Sequence, residues 1–368
     1  MGPTTDIAVI GAGIVGSAAA YEALRAGRSV TLLDADHPGR ATDAGAGIVN
    51  PLDLVGTALA AESHRVELGG PAHYARLMAR LAGDGQPDTG YAEAGQIVVA
   101  RTAEQQAAVE AFAARIPPAL TGYFGLPRWV DATEMVPYLP PGTHGLLLPG
   151  VARVDGRVFN GALAQALMAR GVRRIHGDGK VVLDHGRAVG VDVGGRRIEA
   201  ARVIVAAGAW PVEGIGPLVR PIRGQIMHLE FPHEGAAPIV SSVGGSYILG
   251  FPPDRIVAGA THEDVGFDHR ATAGGVHSIL SNLLALAPGL AGTQIIETRV
   301  GFRPVSADGL PVIGEPPEIT GLVVATGLGA HGLTLGPAAG AIAARIAIGE
   351  DPGADISAML PARFSPRT

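Results

Sequence analysis

The sequence predicts an α/β protein made of two domains. One domain is discontinuous along the chain and built on a parallel sheet, and the other is an inserted α+β domain built on an antiparallel sheet. Short all-apolar runs, typical of strands buried on both faces, recur near the start, the middle and the end of the chain. A glycine-rich turn follows the first run. Between the middle and the last run lie segments with a strand pattern that Gly and Pro interrupt. The 368 residues suffice for about two domains.

The composition excludes several classes of function. The chain is 47% hydrophobic and 17% charged, which is typical of a folded protein. Its formal net charge is −6 and it has no basic run, so we expect no nucleic-acid partner. Without cysteine it has no disulfide, thiolate nucleophile or iron–sulfur ligand. Lys180 is the only lysine, which nearly excludes lysine-dependent chemistry, and no set of metal ligands is predicted.

Two apolar segments imitate membrane signals. The first, 7–20, lacks a basic leader and has Asp6 at its edge, so we expect no signal peptide. The second, 319–344, is long and uncharged, but glycines and Pro337 interrupt it, which favours a strand, a turn and a helix over a membrane span. We therefore expect a cytoplasmic protein without an integral membrane segment.

The first unit of the parallel sheet lies at the start of the chain. The apolar run 7–10 (IAVI) is followed by the turn 11–16 (GAGIVG) and by a helical pattern that stops near Gly27. A second apolar run, 29–33, ends on Asp34. The order strand, turn, helix, strand is the one that parallel pairing requires.

The glycines of this turn have separate tasks. Gly11 permits the tight turn, Gly13 lets the backbone approach a pyrophosphate, and Gly16 allows close packing of the helix on the strand. The N–H groups near Ile14 and Val15 face the phosphate, and the acidic residue that ends the second strand can accept hydrogen bonds from ribose hydroxyls. The motif predicts dinucleotide binding but does not separate FAD from NAD.

The rest of the chain continues the same architecture. The runs 203–207 and 322–325 predict further buried strands, and 337–348 predicts a helix with Pro337 near its first turn. The segment 220–260 has the pattern of antiparallel strands. The segment 56–135 has mostly helical patterning.

These elements give a division into domains. We assign residues 1–55, 150–215 and 295–368 to the dinucleotide-binding domain. Residues 56–149 and 216–294 form the inserted domain, which we expect to bind the substrate. The sequence does not predict the oligomeric state.

Several segments, in order along the chain, carry a resemblance to a known family. They are the turn 11–16 with Asp34, 40–48 (RATDAGAGI), 206–210 (AAGAW), 223–225 (RGQ), 301–314 (GFRPVSADGLPVIG) and 327–337. Over nearly its whole length, the chain resembles the FAD-dependent family of D-amino-acid oxidase, glycine oxidase and sarcosine oxidase. The resemblance implies a Rossmann-like FAD-binding domain.

The resemblance also implies the residues that contact FAD. Relatives with covalently attached FAD use a cysteine, which is absent here, or a histidine where this chain has Asp43, so non-covalent FAD is expected. The implied contacts are Gly11, Gly13, Ile14, Val15, Gly16, Asp34, Ala35, Arg40, Ala41, Thr42, Ala46, Gly47, Ile48, Val181, Ala207, Gly208, Trp210, Arg303, Leu328, Gly329, Ala330, His331, Gly332, Leu333 and Thr334.

The substrate residues follow from the same resemblance. Arg303 is implied to bind a substrate carboxylate, for which the planar, permanently charged guanidinium is well suited. Tyr247 is implied to donate a second hydrogen bond to that carboxylate, and His262 to line the pocket as a candidate base. Ile48 and Ala330 complete the substrate-binding residues.

The implied reaction is oxidation of the C–N bond of a small molecule with a carboxylate and an amine: a D-amino acid, glycine or an N-methyl amino acid. Hydride passes from the α-carbon to FAD, and oxygen is then reduced to hydrogen peroxide. Two departures from the family, Ala330 in place of an arginine and the lack of an oxygen-activating lysine, leave alternatives open. These are a dehydrogenase that uses a quinone or carrier protein, a 2-hydroxy-acid oxidase, and a non-catalytic FAD-binding subunit.

Overall fold

The computed structural model describes residues 4–50, 63–114, 116, 125–233, 235 and 237–364. The helices and strands of these residues are β1 (Thr4–Ile10), α1 (Ile14–Arg25), β2 (Val30–Asp34), α2 (Ala41–Ala44), β3 (Ile48–Val49), α3 (Ser63–Gly83), β4 (Tyr91–Glu93), β5 (Gln96–Ala100), α4 (Ala103–Ala113), β6 (Arg128–Asp131), β7 (His144–Leu148), β8 (Ala152–Val154), α5 (Gly156–Ala169), β9 (Arg173–His176), β10 (Lys180–Asp184), β11 (Arg187–Val193), β12 (Arg196–Val205), β13 (Arg220–Glu230), β14 (Ile239–Ser242), β15 (Tyr247–Phe251), β16 (Arg255–Gly259), α6 (Ala273–Leu286), β17 (Gln294–Val305), β18 (Val312–Gly314), β19 (Leu322–Thr326) and α7 (Gly332–Ile348).

The first sheet has a parallel centre. Its parallel strands lie in the order β9–β2–β1–β12–β19, and β18 pairs antiparallel with β19. Strands β10 and β11 extend the sheet through antiparallel pairing with β12. The apolar runs therefore form the predicted parallel strands, and β2 and β19 are buried along their whole length. The α/β class is confirmed.

The second sheet forms the other layer of the molecule. Its strand order is β17–β13–β16–β15–β14–β5–β7–β6, and β14 with β5 is the parallel pair. Strands β13 to β16 confirm the antiparallel pattern of 220–260. Strand β17 lies in the segment assigned to the dinucleotide-binding domain, but it pairs with β13 in this sheet. A small third sheet has the order β3–β8–β4.

The segment 56–135 is less helical than predicted. Residues 51–62, 115 and 117–124 lie outside the described residues. The rest contains α3 and α4, but also β4, β5 and β6. Strand β5 (QIVVA) is almost entirely buried and pairs with both β14 and β7. A short apolar run does not by itself distinguish a helix from a buried strand, and the long-range pairing decides here.

The close packing of α1 against α7 brings two helix N-termini to one place. A Cβ atom on Gly340 would overlap the carbonyl oxygen of Val15, and one on Gly336 would lie 2.7 Å from Ile14 Cγ2. The two helices therefore approach more closely than side chains would permit. Both begin at the same cavity, whose lining includes Ile14 and Gly332.

The segment 319–344 folds as the predicted strand, turn and helix, but the helix begins earlier than expected. Helix α7 starts at Gly332 rather than near Pro337. Proline has no N–H, so Pro337 cannot donate the helical hydrogen bond to the carbonyl oxygen of Leu333. The buried Tyr74 hydroxyl of α3 donates to that oxygen instead. Within the described parts of the chain, no helix combines the length and the apolar composition that a membrane crossing requires.

We expect Tyr74→Phe to lower the free energy of unfolding by about 1–3 kcal/mol, because the buried Leu333 carbonyl would lose its donor. The measurement is urea-induced unfolding. Tyr138→Phe is the matched control, since the buried Tyr138 hydroxyl has no partner among the described residues and its removal should cost nothing. Equal losses in the two variants would contradict this account of α7.

Candidate active site

A cavity of about 410 Å³ lies between the carboxyl ends of the parallel strands and one face of the antiparallel sheet. Its polar lining combines groups from both sheets, as is typical of ligand sites in open α/β folds. The predicted site residues that line it are Gly11, Gly13, Ile14, Val15, Asp34, Ala35, Arg40, Ala41, Thr42, Ala46, Gly47, Ile48, Ala207, Gly208, Trp210, Tyr247, Arg303, Leu328, Gly329, Ala330, His331, Gly332, Leu333 and Thr334.

The glycine turn has the geometry that its sequence predicts. Gly11 has a φ of 99°, a conformation that favours glycine. A Cβ atom on Gly16 would overlap the carbonyl oxygen of Gly11, so Gly16 lets α1 begin directly against the turn. Gly16 itself does not line the cavity. At the start of α1, the Ile14 N–H donates to Thr42 Oγ1 over 3.0 Å.

Asp34 is fixed at the end of β2, beside the turn. Its Oδ1 accepts the Ala12 N–H over 3.0 Å, and its Oδ2 accepts from Arg40 and, over 3.1 Å, from Arg174. Burial raises the pKa of the Asp34 carboxyl, and the positive charge of Arg40 opposes that shift. The carboxylate thus stands next to the start of α1, where the sequence predicts a contact with ribose.

The remaining cavity wall fits a flavin dinucleotide. A Cβ atom on Gly45 would lie 2.7 Å from Leu333 Cδ1, and one on Gly47 would overlap the carbonyl oxygen of Val154. Small residues therefore let this loop pack directly beside the first turn of α7. That turn contains no acidic residue, and a helix N-terminus favours negative charge. One N-terminus suits a pyrophosphate, and the other suits the negative charge that a flavin ring gains on reduction.

Arg303 of β17 reaches the cavity across a glycine. A Cβ atom on Gly224, in the neighbouring β13, would lie 2.6 Å from three atoms of the Arg303 guanidinium. Arg303 Nη1 donates to the carbonyl oxygens of Thr261, over 3.0 Å, and of Arg223, over 3.4 Å. Burial lowers the pKa of Arg303, but an arginine still carries its charge at neutral pH. The guanidinium has no carboxylate partner among the described residues.

The side chain of Tyr247, in β15, passes over a second glycine toward Arg303. A Cβ atom on Gly259, in β16, would lie 2.7 Å from the Tyr247 hydroxyl oxygen. Burial raises the pKa of Tyr247 to about 12, and the charge of Arg303 opposes this shift. At neutral pH the phenol is therefore a neutral hydrogen-bond donor. Together, Tyr247 and Arg303 can bind one carboxylate.

Besides Gly16, two predicted site residues do not reach the cavity lining. His262 follows β16 with an exposed side chain, and partial burial together with the charge of Arg303 lowers its pKa. Val181 of β10 is buried in the core between β10, β11 and β12. Its side chain packs into that core, and the contact of Val181 with FAD stays a prediction.

The sequence analysis missed a polar group in the cavity wall. Asn50, Gln96 and Ser241 line the cavity and are joined by hydrogen bonds. The loop after β3, strand β5 and strand β14 bring them together. They are far apart in the sequence and belong to no local motif, so only the sheet pairing could have revealed them.

Comparisons with known proteins give the family and relatives of this chain. The family described as FAD dependent oxidoreductase (DAO) matches residues 6–346. The chain is 39% identical over 365 residues to the uncharacterized oxidoreductase YurR of Bacillus subtilis, covering 96% of this chain and 98% of the relative.

Two solved structures are similar in fold. Iminodiacetate oxidase (IdaA) from Chelativorans sp. BNC1 superposes with a TM-score of 0.90 at 36% identity, covering 96% of this chain and 98% of that one. Glycine oxidase from Geobacillus kaustophilus superposes with a TM-score of 0.86 at 25% identity, covering 99% and 100%. The architecture of this chain is therefore that of FAD-dependent oxidoreductases along nearly its whole length.

We expect Gly16→Ala to lower both the flavin content and the free energy of unfolding, the latter by about 1–3 kcal/mol, because its Cβ would displace the Gly11 carbonyl. Flavin absorbance per mole of purified protein and urea-induced unfolding measure the two effects. Gly161→Ala in α5 is the control, since its Cβ would meet open space and should stabilise the helix by about 0.5–1 kcal/mol. Full flavin content in Gly16→Ala would refute the role of the turn.

Proposed function

This chain belongs to the DAO family of FAD-dependent oxidoreductases, and we propose that it oxidises the C–N bond of a small molecule that carries both an amine and a carboxylate. One observation carries the proposal. The Arg303 guanidinium, next to the Tyr247 hydroxyl, faces the cavity that contains the dinucleotide turn. A carboxylate is the ligand that such a pair of donors binds best.

The protein's own contribution is then orientation. When bound, FAD supplies the acceptor for the hydride that leaves the α-carbon. Arg303 offers paired N–H donors in a fixed plane, and Tyr247 adds a neutral O–H donor, so the carboxylate is held in one direction. Fixing the carboxylate also fixes the neighbouring α-carbon, and such positioning can lower a barrier by several kcal/mol. His262, which lies outside the cavity lining, has no part in this arrangement.

The names of the similar proteins support an amino acid or an N-substituted amino acid as substrate, and oxygen as electron acceptor. The solved structures with the same fold include a glycine oxidase and an iminodiacetate oxidase. Glycine and iminodiacetate both combine an amine with at least one carboxylate. We therefore propose an oxidase that produces hydrogen peroxide.

Anaerobic mixing tests this function. We expect the purified protein to be yellow and to lose its flavin absorbance on addition of glycine, sarcosine, a D-amino acid or iminodiacetate. In air, the reaction should release hydrogen peroxide. Persistent flavin absorbance with every candidate would refute amine oxidation, and bleaching without peroxide in air would identify a dehydrogenase instead.

Arg303→Lys tests the carboxylate contact. We expect it to raise the KM for the substrate about 10- to 100-fold, because hydrogen bonds between charged groups are lost, while the flavin content stays the same. Steady-state kinetics and flavin absorbance measure the two quantities. Arg197→Lys is the control, since Arg197 is exposed on β12. An unaltered KM in Arg303→Lys would refute the assignment.

A further inference from the structure

The cavity wall contains a polar cluster that the proposed function leaves unused. Its members are Asn50, Gln96 and Ser241, which are 8%, 3% and 7% exposed. Asn50 Nδ2 donates to Gln96 Oε1 over 2.7 Å, and Gln96 Nε2 donates to Ser241 Oγ over 2.8 Å. Burying polar groups is costly unless each is satisfied, so such a cluster in the wall of a ligand cavity calls for an explanation.

The hydrogen bonds of the cluster run in one direction. Ser241 Oγ accepts from Gln96, and its own hydroxyl proton has no acceptor within the described part of the chain. A hydroxyl that already accepts one hydrogen bond is well placed to donate another. Ser241 lines the cavity, so the open donor of the cluster is available to a ligand there.

The sheet places this donor beside the proposed carboxylate site. Ser241 of β14 lies directly opposite Tyr247 of β15, and residues paired in this way present their side chains on the same face. The Tyr247 hydroxyl lies over Gly259 of β16, on the side toward Arg303. Strand β14 is two strand spacings, or about 10 Å, from β16. The two donor sites therefore lie on either side of the Tyr247 ring.

The charge of the wall selects the kind of group that Ser241 would bind. Among the described lining residues, the carboxylates are Asp34, which ends β2, and Asp178, which follows β9, and both lie at the dinucleotide end. None belongs to β5, β14 or β15. The charged side chain that the antiparallel sheet contributes to the described lining is Arg303. A cationic group near Ser241 would therefore lack a counter-charge, whereas a carboxylate would complete the cluster and keep a positive charge in the same wall of the cavity.

We propose that Ser241, supported by Gln96 and Asn50, forms a second substrate subsite that binds a second carboxylate. The preferred substrate is then an amine with two carboxylates, one on Arg303 and Tyr247 and the other on Ser241. This inference rests on the proposed function, because it presumes that Arg303 binds the first carboxylate. Glycine is too short to occupy both sites.

Two pairs of isosteric ligands test the subsite. Iminodiacetate and N-isobutylglycine share one carboxylate and the amine but differ in whether the second end is a carboxylate or an isopropyl group. Glutarate and 5-methylhexanoate are the corresponding pair without the amine, and they cannot be oxidised at a C–N bond. For each variant we would measure the KM of the first pair by steady-state kinetics. The Kd of the second pair comes from the shift in thermal unfolding of the holoenzyme. Each pair gives one ratio, that of the dicarboxylate to its apolar counterpart.

We expect Ser241→Ala to weaken iminodiacetate and glutarate about ten-fold more than their apolar counterparts, because only the carboxylates lose a hydrogen bond. Gln96→Met should likewise weaken the dicarboxylates more than their apolar counterparts, since it removes the group that orients Ser241. Ser281→Ala, at an exposed position of α6, is the control and should leave both ratios unchanged.

The outcomes separate this inference from the proposed function. Equal weakening of both members of each pair in Ser241→Ala would reduce the cluster to a structural role and overturn the subsite. A glutarate preference that depends on Ser241 would support the subsite even if no amine bleached the flavin. A flavin that no amine bleaches would then overturn the proposed amine oxidation but not the subsite.

Discussion

The close contact between α1 and α7 is the constraint on which the site depends. Gly336 and Gly340 let α7 pack against the backbone of α1, and no larger residue would fit at Gly340 without displacing the carbonyl of Val15. Both helices begin at the cavity, so their separation sets the distance between two positive helix ends. Helix α7 can begin before Pro337 because the Tyr74 hydroxyl donates to the Leu333 carbonyl oxygen, which Pro337 leaves without a helical donor.

Glycines play the corresponding part on the antiparallel sheet. Gly224 and Gly259 remove the side chains that would otherwise fill the space occupied by Arg303 and Tyr247. A long charged side chain can then lie flat over the sheet and donate to backbone carbonyls. Those carbonyls satisfy part of the guanidinium but do not neutralise it. A buried cation without a counter-ion is costly, and the substrate carboxylate that we propose would remove that cost on binding.

The sequence predicts those parts of the molecule that local patterns determine. The apolar runs, the turn at Gly11 and the acid at Asp34 all lie within one continuous segment, and their structure follows from it. Strand β5 was not predicted, because its apolar run becomes a strand only through pairing with β14 and β7. The cluster of Asn50, Gln96 and Ser241 was missed for the same reason, since the sheet alone brings these residues together.

The two donor sites give different kinds of selectivity. The carboxylate that we propose as the ligand of Arg303 and Tyr247 is one that every amino acid has, so these two residues would not distinguish one amino acid from another. A buried hydroxyl that lacks an acceptor discriminates more strongly, because a ligand without an acceptor leaves it unpaired after water has been excluded. With Ser241 next to Tyr247, the affinity for a substrate would therefore depend on its length and on whether its far end is a hydrogen-bond acceptor. If Ser241 binds the far end of the substrate as proposed, the register between β14 and β15 sets the substrate preference, because a shift of one residue would turn Ser241 to the other face.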